Sequence, residues 1–231
     1  MFEEIILDKK MTSLPIILDD LFDKDFQDQV EDCMFDCVWS FHTDNVLGSK
    51  TLDSKYRKFV NPLEYDIAPG FNADLLQPLN KLTYEKIRLI IPTVCNKINF
   101  NVEKIERCIG GIAAFILNKT KKNHIHVNNR VPHLVLLYYV NDSDGDTILY
   151  DKTIDDIPYT VDYPDEYCDL NISHRVTPKK GRVLVFDGRY YHAPSSPTKS
   201  MRCIITLDLF GNFSDNSYSF NIPKTRKITY S

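Results

Sequence analysis

The side chains that could bring a metal ion to chemistry are six histidines, at 42, 124, 126, 133, 174 and 192. Imidazole is the commonest transition-metal ligand among protein side chains. Three of the six fall within HIHVNNRVPH, residues 124–133. On an extended backbone residues 124, 126 and 128 point to one side, roughly 6 to 7 Å apart. Two donors at that spacing can grip one face of a metal ion, and a further imidazole must come from elsewhere. His192, in FDGRYYHAPSS, supplies it. A facial set of this kind leaves coordination positions open on the opposite side. Spacing alone is weak evidence, because a lone histidine is usually structural. His133 follows a proline and opens a strand, and His174 lies in a polar loop, so both read as structural; His42 receives no role.

The elements that would carry these residues change character along the chain. From Asp19 to Cys37 the apolar residues Phe22, Phe26, Val30, Cys33 and Cys37 recur three or four apart. That spacing predicts an amphipathic helix with Asp19 or Asp20 as N-cap. A second helical pattern runs from about Asn72 to Val94 through Leu75, Leu79, Leu82, Ile87, Ile90, Ile91 and Val94. It puts Pro78 in the first turn and Pro92 near the end. Residues 40–70 are polar and predict only short strands and loops. Beyond residue 105 the pattern turns to strands: Cys108 to Leu117, Leu134 to Val140, Thr147 to Asp151, Arg182 to Phe186 and Arg202 to Phe210. NDSDGD at 141–146 and DGR at 187–189 are turn signals, since Gly, Asn and Asp tolerate positive φ. Helices first and short strands afterwards predict an α+β chain, mainly β, with a sandwich or barrel in its C-terminal part.

Composition narrows the function classes. The chain has 231 residues, 28 Lys+Arg against 32 Asp+Glu, and a net charge of -4. At that length a sizeable core forms without disulfide staples. A pI near 5.9 is not the footprint of a dedicated nucleic-acid binder. No apolar run approaches the roughly 18 to 20 residues that span a bilayer, and the acidic MFEEIILDKK is unlike a signal peptide. The expectation is a cytoplasmic protein. Cysteines 33, 37, 95, 108, 168 and 203 form no CxxC pair and read as buried free thiols. No linker or repeat divides the chain, so one domain is expected over 1–231. Residues 1–104 form its helical and mixed support, 105–212 its β core and 213–231 a tail.

Three ordered segments sharpen the reading: HVNN at 126–129, YYVNDSDGDT at 138–147 and TPKKGRVLVFDGRYYHAPSSPTKSMR at 177–202. From Ile112 to Phe210 the chain resembles the double-stranded β-helix core of the Fe(II)/2-oxoglutarate-dependent dioxygenases. The likeness is strongest to the prolyl-4-hydroxylase-like group, in the short form that occurs in phages and bacteria. The resemblance implies a jelly-roll, cupin-like core with the N-terminal helices packed on its outer face. It implies that His126 and His192 are the two iron-binding imidazoles. It also implies that Arg202 binds the far carboxylate of 2-oxoglutarate and that Tyr139 hydrogen-bonds the same group. A guanidinium suits that task because its fork meets a carboxylate through two charged hydrogen bonds.

The sequence departs from the family at the third ligand, where Asn128 stands in place of an aspartate. A neutral amide oxygen is a poorer donor than a carboxylate and leaves one negative charge fewer beside Fe(II). Three outcomes follow from that. Asn128 ligates weakly or through water and the enzyme works; His124 joins His126 and His192; or the site is dead and the fold is kept for binding. The first gives the expected function, hydroxylation of an unactivated C–H bond in a peptide side chain or small molecule, consuming O2 and 2-oxoglutarate and releasing succinate and CO2. The last gives the rival, a binding protein or a structural component of a virus particle, with other virion proteins as partners. Neither reading involves a membrane, and the composition argues against a nucleic-acid partner, while a peptide side chain, a free amino acid and a nucleobase all stay open as substrate. Specificity is expected from residues 40–70 and 151–176, and the seven acidic residues within 151–169 read as a solvated loop.

Overall fold

The computed structural model describes residues 14–42, 70–114, 125–129, 131–157 and 170–214. Ten strands occur in them: β1 (Ile16–Leu18), β2 (Ser40–His42), β3 (Gly70–Asp74), β4 (Phe100–Ala113), β5 (Leu134–Tyr139), β6 (Thr147–Thr153), β7 (Ile172–Val176), β8 (Val183–Asp187), β9 (Tyr190–Pro194) and β10 (Arg202–Phe213). Three helices accompany them: α1 (Lys24–Phe35), α2 (Lys81–Ile87) and α3 (Ile90–Lys97). The strands make a seven-stranded sheet, in the order β1-β8-β5-β10-β4-β3-β2, and a three-stranded sheet, β7-β6-β9. Every strand pair in both sheets is antiparallel. The molecule is mainly β, with few helices.

Side-chain parity explains how the larger sheet carries two functions. LVLLYY in β5 is buried at all six positions, which requires cover on both faces. Leu134, Leu136 and Tyr138 join a cluster that includes Val30 and Met34 of α1 and Ile90, Ile91 and Val94 of α3. Val135, Leu137 and Tyr139 join another, with Leu149 of β6 and Val176 of β7 from the smaller sheet. The same division runs through β8 and β10. Val183, Val185, Cys203, Ile205, Leu207 and Leu209 belong to the first cluster. Leu184, Phe186 and Ile204 meet the second. Arg202 and Asp208 share the parity of Ile204, so they stand between the sheets.

The N-terminal half corrects two sequence expectations. Helix α1 begins at Lys24 with Asp23 as its cap, the side chain accepting from the Phe26 N–H at 2.8 Å. Asp19 is committed elsewhere, to both Arg182 Nε and Nη2 at 2.8 Å, and Asp20 sits in the left-handed region at φ 56°. The long helix expected from Asn72 to Val94 is instead β3, a 3-10 turn at Pro78–Asn80, α2 and α3. Strand pairing with β4 overrides helical periodicity over residues 70–74. Asn80, buried, accepts from the Val38 N–H at 2.8 Å and donates to the Asp74 carbonyl at 2.9 Å, fixing the turn. A proline inside a continuous helix would lose a hydrogen bond and clash with the preceding turn. The helix therefore stops at Ile87 and restarts at Ile90, putting Pro92 in the first turn of α3. Leu79 and Leu82, expected on the buried face, are 78% and 84% exposed.

Cys33, Cys37, Cys95, Cys108 and Cys203 are buried free thiols. Cys168, most of residues 40–70, the acidic segment 158–169 and the tail beyond 214 lie outside the described residues. No helix among the described residues is long and apolar enough to cross a membrane.

Candidate metal centre

His192 lies in YYHAP of β9. Tyr191 and Ala193 pack outward with Ile148 and Tyr150, so His192 turns inward. Its ring meets Phe186 edge-on at 5.0 Å and is buried. His126 lies on the short extended segment 125–129, which joins β9 through a single antiparallel bridge. The two residues exchange both backbone hydrogen bonds, each 2.9 Å. Directly opposed residues of an antiparallel pair share a face, and the two imidazole centroids are 4.4 Å apart. Asn128, two residues on, points the same way and is tied by its N–H to the Gly188 carbonyl at 3.2 Å. The structure thus brings His126, Asn128 and His192 together. His124 lies outside the described residues.

Hydrogen-bond chemistry fixes what each atom can do. His192 Nδ1 is 2.9 Å from the Tyr190 carbonyl oxygen, which can only accept, so Nδ1 carries the proton. Burial pushes the His192 pKa down to about 4, the hydrogen bond to Tyr190 opposing it only in part. At neutral pH the ring is therefore uncharged and Nε2 bears a lone pair. Asn128 Oδ1 stands 3.1 Å from that Nε2. Its Nδ2 stands 2.9 Å from Asp208 Oδ1. A carboxylate accepts and never donates, so the amide cannot turn over without setting oxygen against oxygen. Two lone pairs, one on imidazole nitrogen and one on amide oxygen, face each other. A cation between them satisfies both.

Among the described residues no cluster of three or more His, Cys, Asp or Glu is placed to hold a metal ion. The donor set is two imidazoles and an amide oxygen, with Asp208 behind the amide. The backbone-anchored N–H of His192 fits metal ligation, since ligating histidines commonly donate their second nitrogen to a carbonyl or carboxylate.

A second polar group lies deeper between the sheets. Arg202 is buried, and its guanidinium carbon sits 5.8 Å from the centroid of the Tyr139 ring. Arg202 Nη2 and the Tyr139 hydroxyl both donate to Thr147 Oγ1, each at 2.7 Å. Arg202 Nε is buried without a hydrogen-bond partner, and Arg202 enters no ion pair among the described residues. Burial drives its pKa down and that of the Tyr139 phenol up, each opposed by the contact between them. A buried guanidinium with no acid beside it is costly, and a bound anion would relieve it. Thr147 and Leu149 are inner-face neighbours on β6, and Leu149 is the register partner of His192. The Arg202, Tyr139 and Thr147 group therefore begins one step along the strand, about 7 Å, from the histidines.

No protein-family model matches the chain, and no curated protein matches its sequence. Solved structures do match. A prolyl hydroxylase from Trichoplax adhaerens, in complex with a hypoxia inducible factor oxygen degradation domain peptide fragment, is 14% identical; the match covers 85% of this chain and 83% of that one at a TM-score of 0.54. A 2OG-Fe(II) oxygenase family oxidoreductase from Burkholderia pseudomallei is 12% identical, covers 84% of each chain and has a TM-score of 0.54. The non-heme alpha ketoglutarate dependent epimerase SnoN from nogalamycin biosynthesis is 6% identical, covers 85% of this chain and 78% of that one and has a TM-score of 0.55. The fold is similar to that of prolyl hydroxylases and other 2OG-Fe(II) oxygenases.

The remaining histidines stand apart. His133 is fully buried beside Gly188 and stacks on Phe210 at 5.7 Å, its Nδ1 against the Val131 carbonyl at 2.7 Å. His174, expected in a loop, is exposed on β7. Sequence reasoning missed Thr147, Asp208 and Arg107. Asp208 had a readable signal: it is a charge inside RCIITLDLFG, an even number of residues after Arg202 and so on the same strand face.

Proposed function

We propose that the chain is an Fe(II)- and 2-oxoglutarate-dependent dioxygenase that hydroxylates an unactivated C–H bond of a peptide side chain or small molecule. The opposed lone pairs of His192 Nε2 and Asn128 Oδ1, held at 3.1 Å by the Tyr190 carbonyl and Asp208, carry this reading. His126, Asn128 and His192 would hold Fe(II) on one face. Arg202 and Tyr139, together with Thr147, would hold the distal carboxylate of 2-oxoglutarate, whose oxo-acid end then reaches towards the histidines. When bound, iron and 2-oxoglutarate supply the oxidation by O2, with succinate and CO2 as co-products. The chain's own part is orientation and exclusion of water. Phe186 and Leu149 wall the inner space, and Arg202 aligns the cosubstrate. The two sheets are read as a double-stranded β-helix with α1–α3 on its outer face, a short prolyl-4-hydroxylase-like enzyme of phage or bacterial type working in the cytoplasm.

Anaerobic titration of metal-free protein with Fe(II) and then 2-oxoglutarate tests the reading. The expected result is a visible charge-transfer band that needs both additions and is lost in His192→Ala. Absence of the band, with its appearance in Asn128→Asp, moves the binding or virion-structural reading ahead, which the neutral amide at 128 already favours.

A further inference from the structure

Asp208 is 5% exposed and flanked in β10 by Leu207 and Leu209, where a carboxylate without partners would be costly. Its direct cross-strand neighbour on β4 is Arg107, beside a register shift between Asp208 and Leu209. Arg107 Nε lies 2.8 Å from Oδ2 and Arg107 Nη2 donates to Oδ1 at 3.2 Å. Charge balance for Arg107 alone would be met by those contacts. Oδ1 nevertheless accepts a further hydrogen bond, from Asn128 Nδ2 at 2.9 Å. Bulges beside functional sites re-aim side chains, and this one accompanies a carboxylate directed at the amide.

We propose that Asp208 is a positioning residue for the metal centre: it holds the Asn128 amide with its oxygen towards the metal position and enriches that oxygen's electron density through the hydrogen bond. Asn128 and Asp208 thereby act as one ligand unit, an amide in front and a carboxylate one hydrogen bond behind it. This inference rests on the metal-centre reading above. Donation from Nδ2 to an anion polarises the amide, because linked hydrogen bonds strengthen one another in a low-dielectric interior. Partners behind metal ligands set metal affinity by 10- to 100-fold in general.

The unit makes a specific demand on paired substitutions. With Asp208→Asn, the new amide can donate to Asn128, turning Asn128 Oδ1 away from the histidines. With Asn128→Asp alone, two carboxylates oppose each other at hydrogen-bond distance, which disfavours having both ionised. Exchanging the two, Asn128→Asp with Asp208→Asn, keeps one amide and one carboxylate, now with the carboxylate in front.

The test is an anaerobic titration of the full-length metal-free proteins with Co(II), read from the visible ligand-field absorption, after circular dichroism shows each variant folded. Expected are a loss of about 10- to 100-fold in Co(II) affinity for D208N, a smaller gain for N128D than for the exchange, and an exchange variant at least as tight as the unaltered chain. If D208N unfolds, R107Q/D208N carries the same comparison without an unpaired guanidinium. Unchanged affinity in D208N, with binding lost in His192→Ala, overturns the role of Asp208 and leaves the metal centre standing. Binding in the exchange variant but not in the unaltered chain also overturns it. Binding in neither overturns the metal reading itself, and this inference with it.

Discussion

Arg202 and Tyr139 meet at a single atom: both donate to Thr147 Oγ1 at 2.7 Å. A hydroxyl that accepts twice has its own proton left to give, so the three side chains together present a charge and a donor to the space between the sheets. Arg202 enters no ion pair among the described residues, so its charge is left for the anion proposed above.

The first prediction separates binding from stability at that point. Arg202→Met keeps the bulk and removes a buried charge, a change that is often neutral or stabilising. The melting temperature of the free protein should hold or rise, while affinity for 2-oxoglutarate falls about 10- to 100-fold, the worth of a charge-assisted hydrogen bond. Differential scanning fluorimetry and calorimetric titration read the two effects. A matching loss of stability would make Arg202 a structural residue.

Metal should stabilise the folded chain. At a free Co(II) concentration one hundred times its dissociation constant, mass action adds about 2.7 kcal/mol. For a chain of 231 residues that corresponds to a rise of roughly 5 to 10 °C in melting temperature. Chelator should reverse the rise, and His126→Ala or His192→Ala should abolish it.

Gly188→Ala should be destabilising and should weaken metal binding together. A β-carbon there overlaps the imidazole of His133. That ring is fully buried, stacked on Phe210 and anchored to Val131, so it has nowhere to go. Overpacking of this kind costs about 1 to 3 kcal/mol. Because the Gly188 carbonyl also receives the Asn128 N–H at 3.2 Å, any shift of the loop displaces a donor of the candidate centre. Thermal unfolding and Co(II) titration of the one variant test both effects.

Asp144 predicts an acid-sensitive loop. Burial raises its pKa, but the Thr198 hydroxyl and the backbone N–H groups of Thr198 and Lys199 outweigh that and bring it from 3.8 down to about 2. A depressed folded pKa gives stability that is present above the unfolded value and lost as pH falls through the folded one. Asp144→Asn should therefore cost about 1 kcal/mol at pH 7, discounted for partial exposure, and its disadvantage should shrink between pH 4 and 2. Urea unfolding of both proteins across that range is the check.

Strand periodicity made part of the centre legible before any coordinates. His126 and Asn128 fall on one face because alternate residues of an extended segment do. His192, 66 residues on, was legible from its own motif, but Asp208, 80 residues from Asn128, was not, since pairing at that distance is set by topology rather than by local pattern. Leu79 and Leu82 misled for a related reason. Their spacing suits a helix, but Asn80 and Pro78 build a turn there that only the contacts with Val38 and Asp74 reveal. The caps failed similarly: Asp19 looked like an N-cap until Arg182, far along the chain, claimed its carboxylate.

The alternation in β5 has a consequence for how this molecule can vary. Tyr138 and Tyr139 are chain neighbours with the same side chain, yet one belongs to the cluster with the helices and the other reaches Thr147. At 134, 136 and 138 a replacement need only fill the same volume, so homologues and designed libraries should drift freely among large apolar residues there. At 135, 137 and 139 the same replacement alters the packing between the sheets, beside the proposed centre. One strand thus separates the part of the sequence that can wander from the part that can be bred for a new substrate, and a single inserted residue would exchange the two.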